Sequence, residues 1–283
     1  MGNQRMKDSD RSIKKQYGTD NLLERIFGAL VMSGKDPFSL TVDDLAAVDQ
    51  FHTRGRNSTI ELSELAKPQS TERVLDVGCG IGGSARYLAN TFDCRVTGID
   101  LTPEYIKVAK RLTDLVNLDQ KQVDFFTESA TSMSFDDESF DIVWTEHAQM
   151  NVPDKRAFYH EIARVLKPGG RLVFHDVFRT EDGITPAFPL PWADHPSISF
   201  LITPKDAGRH IHSSGLRLKS IQPRSEESTL AFEKALARIE TGEPHPLGLH
   251  LLMGSNTHEK IANHLQNLKN KTTAVAMGLA IKT

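Results

Sequence analysis

Cysteine is nearly absent from this chain: Cys79 and Cys94 are the only two among 283 residues. One lies inside a glycine-rich turn and the other just ahead of an apolar run, so no disulfide framework is expected. Two thiols and no recognisable secretory leader predict a reducing, cytoplasmic setting. An excess of either charge is also missing, with 34 Lys and Arg against 37 Asp and Glu and a formal net charge of −3. No global basic field exists to hold nucleic acid. No apolar run approaches the ~20 residues that cross a bilayer, so no membrane partner is expected. Met6 stands where a myristoylation signal needs Ser or Thr. No lysine follows the glycines in P-loop fashion, and no internal repeat occurs. What remains is an ordinary globular composition, 39% hydrophobic and 25% charged. The length suits one domain with additions, or two small domains.

The most informative stretch is R-V-L-D-V-G-C-G-I-G-G-S-A-R-Y-L-A-N-T-F-D-C-R-V-T-G-I-D-L, residues 73–101. A short apolar run breaks into Gly78, Gly80, Gly82 and Gly83, a helix pattern follows, and a second apolar run ends in Asp100. Strand, glycine turn, helix, strand, acid is half of a doubly wound nucleotide-binding sheet. Gly78 and Gly80 let the backbone turn sharply and approach a ligand closely. Asp100 is placed to accept hydrogen bonds from ribose hydroxyls. The spacing fits both G-x-G-x-x-G and G-x-G-x-G, so a dinucleotide stays open on glycines alone. Asp76 separates the two readings: a carboxylate there repels a pyrophosphate and suits a cofactor carrying a cationic amine.

Periodicity predicts a helix over 13–34, a short helix from Thr41 to Val48, and another from Ser58 to Ala66. Thr41 and Thr102 are candidate N-caps. Residues 1–70 read as a helical N-terminal lid and 71–283 as the main domain. Further strands are expected at 123–126, 140–145, 171–178, 216–221 and 273–281, with helices at 102–116, 154–166, 228–239 and 257–268. Alternating strands and helices imply a parallel sheet with right-handed crossovers. Residues 179–203 form a proline-rich loop holding Phe188 and Trp192, and 179–203 with 223–270 are expected to close over an acceptor.

The stretch D-V-G-C-G-I-G-G with Asp100 downstream resembles motifs I and II of class I S-adenosylmethionine (SAM) methyltransferases. F-D-D-E-S-F-D-I-V-W and R-V-L-K-P-G-G-R-L resemble later motifs of the type 11 family. D-Q-F-H-T-R-G-R-N-S-T-I-E-L is similar to the helical lid of sarcosine/dimethylglycine and phosphoethanolamine N-methyltransferases. The resemblance implies a Rossmann-like α/β sheet of about seven strands, with an N-terminal helical lid and helical insertions before the last strand. It implies SAM as cofactor, S-adenosylhomocysteine as by-product, and a monomer or homodimer acting on a small molecule.

Carried over by position, Gly78, Gly80 and Gly82 pass under the methionine part of SAM, with Asp76 near its amino group and Arg56 near its carboxylate. Asp100 holds the ribose, Leu101 packs on adenine, and Ser129 and Ala130 stand where an acid often meets adenine. Trp144 and Thr145 would line the floor near the methyl. Tyr17 resembles a lid tyrosine, and Asn151, Trp192 and His250 are candidate acceptor contacts. Phosphoethanolamine enzymes carry an arginine where this chain has Glu146, and a catalytic histidine where it has Asn151. The imidazole has in effect moved to His147, which could take a proton from an amine, hydroxyl or thiol. Trp144, Tyr17, His52, Arg56 and His147 each also have a plain reading as packing or solvated residues. The remaining histidines lack ligand spacing in the sequence, so no metal site is expected. N-methylation of a small amine or amino acid leads, followed by O- or C-methylation of a phenol or quinone precursor. An NAD(P)-dependent dehydrogenase and a silent SAM-binding module remain as alternatives.

Overall fold

Five apolar segments line up as parallel strands: β1 (Arg73–Val77), β2 (Arg95–Asp100), β3 (Val123–Thr127), β4 (Phe140–Glu146) and β5 (Leu166–Arg179). With β6 (Leu216–Pro223) and β7 (Thr273–Lys282) they make one seven-stranded sheet of order β3-β2-β1-β4-β5-β7-β6. The structure is a computed structural model that describes residues 10–14, 16, 21–180, 184–242 and 245–283. The expectation of a parallel sheet fails at β7, which runs antiparallel to both β5 and β6. β7 begins at the end of the sheet where β6 stops, so the helices between them return the chain to that same end. A second difference lies at the fifth strand, expected over 171–178 but running from Leu166 to Arg179. Leu166 already pairs with Phe140, and the ladder breaks before resuming at Ile142 and Arg171.

The front of the chain supplies α1 (Leu22–Met32), α2 (Val42–Asp49) and α3 (Arg56–Ala66). The helix expected over 13–34 is not continuous: helix runs through 10–14 and again from Leu22, with Asn21 left-handed at φ 57°. Asn tolerates that conformation because its side chain bonds locally. Thr41 caps α2 in a reciprocal box with Asp44. α3 packs on the sheet rather than over it, with Leu62 and Ala66 in the same buried cluster as Val74, Ile142 and Val173.

After β1 come α4 (Gly83–Phe92), α5 (Pro103–Leu115), α6 (Lys155–Val165) and α7 (Pro204–Ser213). Thr102 sits at the N-cap of α5 but makes no side-chain cap. Apolar clusters fill both faces of the sheet, one around Val143, Phe158 and Ile162 and the other around Leu88, Val96 and Ala109. Burial on both faces explains why β1 and β4 read as near-continuous apolar runs. Beyond β6 come α8 (Ser225–Glu240), α9 (His250–Met253) and α10 (Thr257–Lys269). Among the described residues no helix is long and apolar enough to cross a membrane.

Candidate active site

β1 stops at Val77 because the next residue turns back on the sheet. Gly78 and Cys79 both donate to Ile99 O, at 2.8 and 3.0 Å, which ties the turn to the end of β2. Gly78 has φ +80°, and a Cβ there would lie 2.4 Å from Ala148 Cβ. Gly80 has φ +54° and open space where its Cβ would stand. Its N–H donates to Asp100 Oδ2 at 3.0 Å, while Thr102 N–H donates to Oδ1 at 2.8 Å. Asp100 is thereby oriented with a spare lone pair on each oxygen. Asp76 is buried, and its Oδ2 has no hydrogen-bond partner among the described residues. Burial pushes its carboxyl well above the usual range, and the charges of Glu146 and Asp100 push the same way.

These groups line a cavity of about 1200 Å³, larger than the roughly 300–1,000 Å³ typical of a single small-molecule site. The end at the glycine turn holds Asp76, Gly78, Gly80, Asp100, Leu101, Ser129 and Ala130. The far end is walled by Phe51, Met150, Trp192, Phe232, Leu252 and Ile261. Trp192 is fixed by its indole N–H to Ser199 Oγ at 3.0 Å and meets the His264 ring edge to face at 5.1 Å. Phe232 of α8 covers the other side of His264 at 4.7 Å. Neither nitrogen of His264 has a hydrogen bond among the described residues, and burial pulls its pKa down to about 3.

Between the two ends stand three imidazoles and a carboxylate. The β4–β5 register pairs Glu146 with His175. His52, from the loop before α3, brings its Nδ1 to 3.5 Å from Glu146 Oε1, and His175 Nδ1 lies 3.6 Å from the same oxygen. Glu146 Oε2 accepts from Ser84 Oγ at 2.7 Å, Thr59 Oγ1 at 3.0 Å and the Trp144 indole N–H at 3.0 Å. Burial opposes the Glu146 charge, but the facing imidazoles of His52 and His175 and the Ser84 hydroxyl outweigh it and draw its pKa to about 2. His147 follows at φ +50°, its ring 4.8 Å from that of His175. Its Nε2 has no partner among the described residues. Burial holds it well below the ordinary histidine value, with the neighbouring imidazoles adding to the effect, so it is neutral near pH 7.

Residues 75–174 match the family model described as a methyltransferase domain. That span begins in β1, crosses the glycine turn and ends in β5. Residues 75–174 form a methyltransferase domain. The chain is 36% identical over 187 residues to a 2-methyl-6-phytyl-1,4-hydroquinone methyltransferase of Synechocystis, covering 63% of this chain and 54% of that one. It is 30% identical over 190 residues to phosphoethanolamine N-methyltransferase 3 of Arabidopsis thaliana, covering 65% of this chain and 34% of that one. It thus spans about half the length, or less, of these curated relatives. A solved structure of a putative sarcosine dimethylglycine methyltransferase from Galdieria sulphuraria superposes with a TM-score of 0.70 over 98% of both chains at 22% identity. That likeness shows that the Rossmann-like methyltransferase fold extends over the whole chain.

The methyltransferase domain brings together some of the residues singled out from sequence and sets others aside. Asp76, Gly78, Gly80, Asp100, Leu101, Ser129, Ala130, His147, Asn151, Trp192 and His250 all line the cavity. Trp144 does not: it is fully buried in the sheet core, where its indole N–H holds Glu146. Thr145 is buried and Gly82 faces Phe125 and Arg86, so neither lines the cavity. Arg56 is spent on Asp43 at 2.8 Å and on the Tyr87 ring, while Arg54 lines the cavity and pairs with Glu61. Asn151 donates to Trp192 O and Ile198 O at 3.0 Å each, so it pins the proline-rich loop. Tyr17 lies outside the described residues. Sequence reasoning missed His264 and Phe232, whose only signal was an apolar helical spacing, and it passed over His175 because nothing near it in the chain marks it.

Proposed function

We propose that the chain transfers a methyl group from SAM to a small-molecule acceptor. The observation that carries this is the buried, unpartnered Asp76 Oδ2 beside an acidic floor of Asp76, Asp100 and Glu146. A pyrophosphate would meet repulsion there, whereas the ammonium of a methionine moiety supplies the missing donor. The spare lone pairs of Asp100 suit ribose hydroxyls, and Gly80 leaves room for a ligand against its backbone. When bound, SAM supplies the electrophilic methyl group. The protein holds the acceptor in line, excludes water with α1, α2, α8 and the 184–203 loop, and removes a proton. His147 Nε2, neutral and unpartnered, is placed for that last task.

The apolar far end favours an acceptor with a ring or hydrocarbon body, and the 2-methyl-6-phytyl-1,4-hydroquinone relative points to the same chemistry. O- or C-methylation of a phenol or quinol is therefore the leading reading. The small-amine reading keeps one support, the ionised Glu146 at the junction of the two ends, which would attract a cationic acceptor. Labelled SAM with separate panels of phenols, quinols and amines, followed by mass spectrometry, tests this. Methylated phenol or quinol is the expected product. Turnover confined to amines would reverse the order, and no product with any acceptor would remove the enzymatic reading.

A further inference from the structure

His52, Glu146 and His175 come from a loop, the end of β4 and the middle of β5, and their ligand-type atoms all lie within 4.8 Å of one another. His52 Nε2 lies 2.9 Å from the Gln50 side-chain amide, and its Nδ1 lies 3.5 Å from Glu146 Oε1. The one other neighbour of Nδ1 is the Ser58 hydroxyl, whose single proton is also sought by Thr53 O and Gly55 O. Glu146 Oε1 makes no hydrogen bond among the described residues, and neither does either nitrogen of the fully buried His175. Three ligand-type atoms from two imidazoles and a carboxylate thus converge with unfilled hydrogen-bonding capacity, an arrangement that a bound cation completes.

We propose that His52 Nδ1, Glu146 Oε1 and His175 Nδ1 bind a divalent transition-metal ion beneath the middle of the cavity. Ligand atoms about 2.0–2.1 Å from a tetrahedral ion stand about 3.4 Å apart; the two imidazole distances to Glu146 Oε1, 3.5 and 3.6 Å, are close to that, and the two imidazole nitrogens, within 4.8 Å of each other, would draw together on the ion. Two imidazoles and one carboxylate suit Zn²⁺, Fe²⁺, Co²⁺ or Mn²⁺ rather than Ca²⁺. The surroundings have the form of an outer shell: Gln50 meets the other ring nitrogen of His52, and Ser84, Thr59 and Trp144 hold the second Glu146 oxygen. Three protein ligands leave a coordination position free. His52 and Glu146 line the cavity, so that position faces it beside His147. An ion there would lower the pKa of an acceptor hydroxyl; this consequence rests on the transfer reading, whereas the site itself does not.

The test uses the full chain, purified without a histidine tag, stripped with chelator and titrated with Co²⁺. One equivalent should bind, with visible d–d absorption and an X-ray absorption signature of two imidazoles. Zn²⁺ should displace it. Glu146→Gln, His175→Asn and His52→Asn should each weaken binding by more than about a hundredfold, beyond what loss of an outer-shell partner produces. The exposed His212→Asn should not change it. Failure of the unaltered protein to bind Co²⁺, Zn²⁺ or Mn²⁺ overturns the proposal whether or not the variants fold. So does Co²⁺ binding that survives all three substitutions. Neither readout involves SAM or turnover, so loss of this site and loss of the methyl-transfer reading are separate results.

Discussion

Asp76 is costly where it stands. A buried carboxylate with an oxygen lacking a donor loses hydration without full compensation, and two neighbouring acids raise the cost. Such a group is retained when a ligand completes it. Asp76→Asn should therefore weaken SAM about ten- to hundredfold, the worth of roughly 1.5–3 kcal/mol for a charged hydrogen bond. Thermal unfolding of the ligand-free protein should not fall in temperature, because the uncompensated charge is gone. Calorimetry and melting of the same samples separate the two effects. His264 gives a second residue-scale prediction. Its pKa is near 3 in the fold and about 6.5 in the unfolded chain. Below pH 6.5 the unfolded state binds the extra proton, so stability is whole above pH 6.5 and declines as pH falls toward 3. Between pH 6.5 and 5 the loss from this group is about 2 kcal/mol at ~1.4 kcal/mol per unit. Urea unfolding at pH 7 and pH 5 should show that loss in the parent and not in His264→Phe.

Among the elements, α2 and α4 are joined by a fully buried ion pair. Arg86 donates to Asp49 Oδ2 at 3.0 Å, and also to Ile81 O, Ala109 O and Thr113 Oγ1. Burial raises the Asp49 pKa and lowers that of Arg86, so desolvation works against both partners and mutual attraction offsets it. Removing one partner leaves a stranded charge. Asp49→Ala should cost about 3–5 kcal/mol in chemical denaturation; an effect under 1 kcal/mol would show that the pair does not anchor the front helices. The glycine turn was legible from sequence because strand, turn, helix and acid all fall within 29 residues, 73–101, and each glycine answers a local demand. α8 and α10 were legible as helices in a segment expected to lie over an acceptor, but nothing in their own spacing says that Phe232 and Trp192 will both meet the His264 ring. Phe232→Ala should raise the acceptor KM several-fold and leave SAM affinity unchanged, as steady-state kinetics and calorimetry would record.

At the scale of the molecule, a sheet with both faces covered fixes the strand ends, and the cavity opens where β1 and β4 diverge to opposite neighbours. Asp76, Gly78, Gly80, Asp100, Leu101, Ser129 and Ala130, which line it, all come from turns or strand ends in the family-like segment. The residues misplaced from sequence, Trp144, Thr145 and Gly82, sit beside that segment but point into the core or toward Phe125, a distinction set by packing. The histidine cluster is the clearest case of what sequence hides: positions 52, 146 and 175 become neighbours through the β4–β5 register and the packing of α3 on β5. The most direct measurement of the central claim is calorimetric titration of the purified chain with SAM and with S-adenosylhomocysteine, beside NADH. Saturable binding of both sulfur nucleosides at one site per chain, with none of NADH, is the predicted result. Heat from NADH alone, or from none of the three, would contradict the account.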